Sequence, residues 1–151
     1  MEQFLTRAEF QEAADYVRAH TRHQPRVGLV LGSGLGGLAD AVEDADVLQC
    51  SDIPHWPKST VEGHAGRVLI GKLEGQSVLV QQGRAHFYEG HDLQHVTLPI
   101  RVMQLLGMEA VILTNAAGAI HPDYVPGDVM LITDHINFMG MAGDSPLRGP
   151  N

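Results

Sequence analysis

Between Gly83 and Gly90 the chain reads Gly-Arg-Ala-His-Phe-Tyr-Glu-Gly, with a guanidinium, an imidazole and a phenol at alternate positions 84, 86 and 88. An apolar run, Val78-Leu79-Val80, leads into it. If the backbone stays extended, the period-2 alternation of a strand points Arg84, His86 and Tyr88 to one side. Arg84 then offers a fork of donors for an oxyanion, His86 a second donor, and Tyr88 an aromatic wall with a polar tip. A basic turn at a strand end is the plainer reading of the same residues.

Two further stretches suit an anion. Val27-Gly28-Leu29-Val30-Leu31 reads as a buried strand running into Gly32-Ser33-Gly34-Leu35-Gly36-Gly37, with a short helical stretch around Leu38 to Val42. A strand, glycine turn and helix in that order aim backbone N–H groups at an anion, with Ser33 adding a hydroxyl donor. Glycines serving only a tight turn are the alternative. Gly32, Gly34 and Gly37 also meet the dinucleotide-binding spacing, but the acidic residue that should end a second strand is missing. Asp52 instead enters the broken stretch Ile53-Pro54-His55-Trp56-Pro57, so a nucleotide-cofactor oxidoreductase fits poorly. No Gly-x-Ser-x-Gly elbow is present, so Ser33 is not read as an esterase nucleophile. The third stretch follows Ala110-Val111-Ile112-Leu113, read as the most apolar buried strand. It continues as Thr114-Asn115-Ala116-Ala117-Gly118-Ala119-Ile120, where small residues let the backbone approach a ligand. Asn115 is equally a helix N-cap, and one residue can serve both ends. In a parallel α/β sheet the loops after strands gather at one edge. Ser33, Arg84 with His86, and Asn115 with Ala116 are therefore expected to converge.

The elements that must position these residues follow from periodicity. Thr6 and Glu9 form a capping-box pair before Phe10, Ala14 and Val17, which predicts a helix from about Arg7 to His20. Arg67 to Leu73 and Ser77 to Gln82 read as two strands joined through Glu74-Gly75, a hairpin whose second strand delivers Arg84. Val96, Ile100 and Met103 mark a helix ending at Gly107, with Pro99 at its start or kinking it. Asp128 to Thr133 reads as a further strand. The segment Cys50 to Gly66 is irregular, and its His64 either reaches a ligand or is an ordinary loop histidine. His86, His91 and His95 have a loose metal-like spacing without a carboxylate-rich partner set, and no metal is expected.

Composition bounds the function. The chain has 151 residues, 44% of them hydrophobic, which is enough for one α/β domain with its own core. A formal net charge of -8 argues against nucleic acid or an anionic membrane as the main partner. Cys50 is the only cysteine, so neither a disulfide framework nor a thiolate zinc cluster is expected, and a reducing, cytoplasmic setting fits best. Met1 to Arg7 lack an apolar signal core, and no run approaches membrane-spanning length.

Taken in order, the motifs resemble the N-terminal half of the trimeric purine nucleoside phosphorylases. The resemblance rests on Gly32-Ser33-Gly34-Leu35-Gly36, Val61-Glu62-Gly63-His64-Ala65-Gly66 and Gly83-Arg84-x-His86-x-Tyr88-Glu89-Gly90. It continues through Pro99-x-Arg101, Thr114-Asn115-Ala116-Ala117-Gly118, Gly127 to Ile132, Asp134-His135-Ile136-Asn137 and Pro146 to Asn151. Tyr88-Glu89-Gly90 and Asn115 are more similar to this branch than to the methylthioadenosine phosphorylases on the same scaffold. The resemblance implies a partial phosphorylase fold, with a mixed, mostly parallel central sheet flanked by helices, spanning 1–151 as a single domain.

It also implies reversible phosphorolysis of purine (deoxy)nucleosides, a step of purine salvage, giving free base and (deoxy)ribose 1-phosphate. By the resemblance Ser33, His64, Arg84, His86, Asn115 and the Ala116 N–H bind phosphate, His86 is catalytic and Tyr88 contacts the sugar. Inorganic phosphate is the co-substrate, with no metal or organic cofactor, and the full-length enzyme is a homotrimer. The family's purine-gripping residues lie beyond position 151, so the base site and part of the core cover are expected to be absent from this chain. A phosphate or sugar-phosphate binding module without catalysis is the alternative.

Overall fold

The computed structural model describes residues 4–59 and 65–148. Helix α1, Arg7–Ala19, begins where Glu9 N–H donates to Thr6 Oγ1 at 3.3 Å and Thr6 N–H donates to Glu9 Oε2 at 2.7 Å. That reciprocal pair satisfies donors which a helix start otherwise leaves open. The helix buries Phe10, Ala13, Ala14 and Val17, the one-sided stripe that the spacing predicts.

Strand β1, Val27–Leu31, follows, then a 3-10 turn at Gly36–Ala41 and strand β2, Glu43–Gln49. Strands β3, Arg67–Leu73, and β4, Gln76–Gln82, form the expected antiparallel hairpin. Glu74 and Gly75 both take positive φ, 49° and 74°, the combination that lets a two-residue turn match the twist of its strands. A second 3-10 turn, Phe87–Glu89, leads to helix α2, Leu93–Leu105, then strand β5, Ala110–Leu113, and a short helix α3, Phe138–Met141. Pro99 lies inside α2 rather than at its start; Asp92 caps the helix by accepting His95 N–H at 2.9 Å.

The sheet runs β2-β3-β4-β1-β5. β1 pairs in parallel with β4 and with β5, while β3 pairs antiparallel with β2 and β4. The mixed sheet flanked by helices is therefore present, and its parallel part is β4-β1-β5. On one face Val30, Val68, Ile70 and Leu79 pack with Phe10 and Val17 of α1 and Leu98, Val102 and Met103 of α2. Gly28 permits that approach, since a Cβ there would lie 2.7 Å from the Met103 sulfur. On the other face Leu29, Leu31, Leu69, Val78 and Val80 close over Ala39. Cys50, just past β2, is 5% exposed, and burial pushes its thiol up to about 12.

Three features differ from the sequence reading. β2 is an added strand whose polar start, Glu43-Asp44-Ala45-Asp46, carries a bulge against β3, with Asp44 at φ 52°. Gly71 faces that bulge, where a Cβ would meet the Glu43 carbonyl at 2.5 Å. β5 forms as expected but lies at the sheet's edge, paired only with β1 among the described residues, and all four of its residues are exposed. Asp128 to Thr133 is not a strand: no sheet partner among the described residues takes up its backbone, and Val129 and Leu131 are 95% and 86% exposed. No helix among the described residues is long and apolar enough to cross a membrane.

Candidate functional site

β4, β1 and β5 run parallel and end side by side, with Leu31 paired to Gln82 and Val30 to Leu113. The loops after these ends therefore leave the sheet on one edge, the place where open α/β sheets bind ligands. Gly32 to Leu35, Gly83 to Gly90 and Thr114 to Ala116 are those loops. The convergence expected of Ser33, Arg84, His86, Asn115 and Ala116 follows directly from the strand order.

Thr114 ties the loops together. Its N–H and its hydroxyl both donate to the Val30 carbonyl, at 3.2 and 3.0 Å, and the same hydroxyl oxygen accepts Gly32 N–H at 2.8 Å. Its carbonyl accepts Arg84 Nη1 at 2.6 Å. One residue thus bonds to the end of β1, to the start of the glycine turn and to the guanidinium. Gly32 must lack a side chain here, since a Cβ would sit 2.5 Å from the Thr114 carbonyl oxygen. Ser33 is exposed on the turn that Leu35 N–H closes onto Gly32 O at 3.2 Å, with Gly34 at φ 86°. Asn115 and Ala116 are exposed just past β5.

Gly83 already bends the chain at φ 90°, and beyond it His86 is extended, at φ -118° and ψ 153°. The chain then turns at Phe87–Glu89. Strand alternation accordingly does not carry Tyr88 to the side of His86. The two rings instead stack across the turn, with centroids 4.8 Å apart and planes 19° apart. Tyr88 is 74% exposed, its ring open to a ligand. Arg84 and His86 are half-buried. The His86 ring is oriented from behind by Glu89, whose side chain is 3% exposed. Glu89 Oε1 accepts the His86 N–H at 2.6 Å and Nδ1 at 3.0 Å, so the carboxylate makes Nδ1 the donor toward Glu89. Ser59 Oγ donates to the same carboxylate at 3.2 Å, bringing the end of the Cys50 segment against the arm. His64 lies outside the described residues.

Residues that sequence reasoning missed are Thr114, Glu89, Ser59 and Gln82. Glu89 had a local signal, its i,i+3 relation to His86 at the start of a turn. The others act through contacts between segments far apart in the chain. The histidines with metal-like spacing have separate partners: His91 bonds the Lys58 carbonyl, His95 bonds Asp92 and His86 bonds Glu89.

Residues 26–151 match the family described as the Phosphorylase superfamily. Purine nucleoside phosphorylase of Rattus norvegicus is 48% identical over 151 residues, covering all of this chain and 52% of that protein. Purine nucleoside phosphorylase 1 of Bacillus subtilis is 53% identical over 141 residues, covering 93% of this chain and 51% of that one. Among solved structures, isoform 2 of the Schistosoma mansoni purine nucleoside phosphorylase, in complex with cytosine and ribose-1-phosphate, superposes with a TM-score of 0.88 at 40% identity. That match covers 99% of this chain and 52% of the other. The chain spans about half the length of the curated relatives it matches. With the family matched over most of its length and the fold of these relatives, the chain belongs to the phosphorylase superfamily.

Proposed function

We propose that the converging loops are the phosphate-and-sugar side of a purine nucleoside phosphorylase site. The observation that carries this reading is Thr114, which binds the ends of β1 and β5 to Arg84 at a parallel-sheet edge. In the proposed reaction a phosphate oxygen bonds to the sugar's anomeric carbon. The glycosidic C–N bond breaks with its electron pair leaving on the purine, and the proton that the phosphate gives up is the one the purine gains overall. Positive charge builds on the sugar as that bond breaks, so a phosphate anion held beneath it is both nucleophile and counter-charge.

In this reading Ser33, Arg84, His86 and the Ala116 N–H hold phosphate, with His64 and Asn115 alongside. His86 is the catalytic residue: with Nδ1–H given to Glu89 it donates from Nε2 in its imidazolium form, and the open face of Tyr88 takes the sugar. Arg84 supplies permanent charge and fork geometry, and its contact with Thr114 sets the plane of that fork before phosphate arrives. Inorganic phosphate is the only co-substrate required. The purine contacts are assigned to the part of the relatives that this chain does not match. A single domain over 1–151, a homotrimer and a cytoplasmic setting complete the proposal.

The test is base release from inosine in phosphate buffer. It is run with the chain alone and with residues 1–151 joined to the unmatched half of the Bacillus subtilis relative. Phosphate-dependent turnover is expected only in the joined protein. Phosphate binding without turnover in either would replace the proposal with a non-catalytic phosphate module.

A further inference from the structure

We infer that Gln82 is a positioning residue for the glycine turn that carries Ser33, and that Arg67 fixes its amide in the one orientation that does this. The inference rests on the assignment of Ser33 to phosphate. Gln82 is the last residue of β4, paired with Leu31 of β1 on one side and Arg67 of β3 on the other. Its Nε2 donates to the Gly36 carbonyl at 2.7 Å, and its Oε1 accepts from Arg67 Nε. Arg67 in turn reaches Asp40 at 3.3 Å, inside the 3-10 turn that follows the glycines.

The two partners leave the amide no choice. A guanidinium only donates and a backbone carbonyl only accepts, so a flipped amide would face donor with donor and acceptor with acceptor. The turn is thus bonded at both ends from neighbouring strands: Gly32 to the Thr114 hydroxyl, and Gly36 to Gln82. Between these bonds lie Ser33, Gly34 and Leu35, all exposed. Side-chain packing does little to restrain them. A Cβ on Gly34 or Gly37 would meet nothing within 4 Å, and one on Gly36 would meet only Gln82 Nε2, at 3.7 Å. Where packing is this sparse, hydrogen bonds decide where the turn sits. Gln82 also stands two residues before Arg84, so the same strand end places one proposed phosphate ligand through the chain and a second through its side chain.

Gln82→Glu keeps size and an acceptor for Arg67 but sets a carboxylate oxygen against the Gly36 carbonyl. Gln82→Ala removes both bonds, and Arg67→Met releases the amide to reorient. In the joined phosphorylase, Gln82→Glu and Gln82→Ala are expected to raise the phosphate KM roughly three- to tenfold, the scale of one hydrogen bond. The inosine KM should stay within about twofold. Arg67→Met should fall between the parent and Gln82→Ala, and Gln82→Ala with Arg67→Met should cost less than the sum of the two, because they share the Gln82–Arg67 bond while Arg67 also holds Asp40. Independently of turnover, backbone amide exchange at Leu35 to Leu38 in the 151-residue chain should quicken in both Gln82 variants while Leu29 to Leu31 stay unchanged. A Gln82→Glu phosphate KM equal to the parent's, an equal rise in both KM values, or unaltered exchange in the turn each overturns the inference. A joined protein with no phosphorolysis would sink the proposed function instead, and the exchange measurement still decides whether Gln82 holds the turn.

Discussion

Arg84 reaches the sheet edge with its plane set by the Thr114 carbonyl, 2.6 Å from Nη1. Arg84→Ala is therefore expected to raise the phosphate KM of the joined enzyme roughly ten- to a hundredfold, the range for bonds to a charged group. The nucleoside KM should move far less. Arg84→Lys should fall between, since an ammonium keeps the charge but not the fork. An unaltered phosphate dependence for Arg84→Ala in steady-state kinetics removes the assignment. Thr114 makes a sharper case. Thr114→Val matches the shape but deprives Gly32 N–H of its acceptor, a loss of about 1–3 kcal/mol where the group stays out of water. Urea unfolding measures it, and a loss below a few tenths of a kcal/mol argues against the Thr114 linkage. At this scale the candidate ligands were legible because Arg, His and Ser beside glycines advertise their chemistry. Thr114 and Gln82 were not, because a threonine or glutamine at a strand end declares nothing until its cross-strand neighbour is known.

Among the elements, α1 carries the clearest local signature. Thr6→Ala should cost about 1 kcal/mol at neutral pH, as N-cap losses do. The Glu9 carboxyl is held below its ordinary value near 4.5, first by the Thr6 backbone N–H and then by the Thr6 hydroxyl, with burial opposing. A lowered folded value means the stabilisation is fully present above about 4.5 and is lost as pH falls through the folded value. The Thr6→Ala deficit in thermal unfolding should therefore shrink in acid, and a deficit constant across that window contradicts the reciprocal cap. Strands β1, β3 and β4 were readable from apolar runs and from Glu74-Gly75. β2 was not, because Glu43-Asp44-Ala45-Asp46 is poor strand material that pairing with β3 overrides. The bulge is held there by Asp46, which accepts from Thr21 Oγ1 at 2.9 Å and Arg22 N–H at 3.0 Å. Val129-Met130-Leu131-Ile132 erred in the other direction: an apolar run makes a strand only when a ladder receives it, and here it stays exposed.

For the molecule as a whole, the exposed face of β5 and the segment after it dominate the physics. Leu113 is 65% exposed at a strand edge that is unpaired among the described residues, with Val129, Leu131 and Phe138 exposed beyond it. Unpaired edges and large apolar patches promote association. The chain should show concentration-dependent mass in sedimentation at micromolar levels, and Leu113→Lys should reduce it; a monodisperse monomer for the parent chain would count against an adhesive β5. The overall α/β layout was legible from strand and turn patterns, whereas the exposure of β5 was not, since an apolar run looks the same in a sheet's centre and at its rim. The buried Cys50 thiol has a practical consequence. With its proton held up to about 12, almost no thiolate exists at neutral pH while the fold is closed. A thiol-specific dye can then label the chain only when the Cys50 segment opens, and that segment leads to Ser59 and its bond to Glu89. Labelling rate becomes a built-in clock of breathing beside the site, readable without introducing a second cysteine. Saturating phosphate that steadies the arm should slow it.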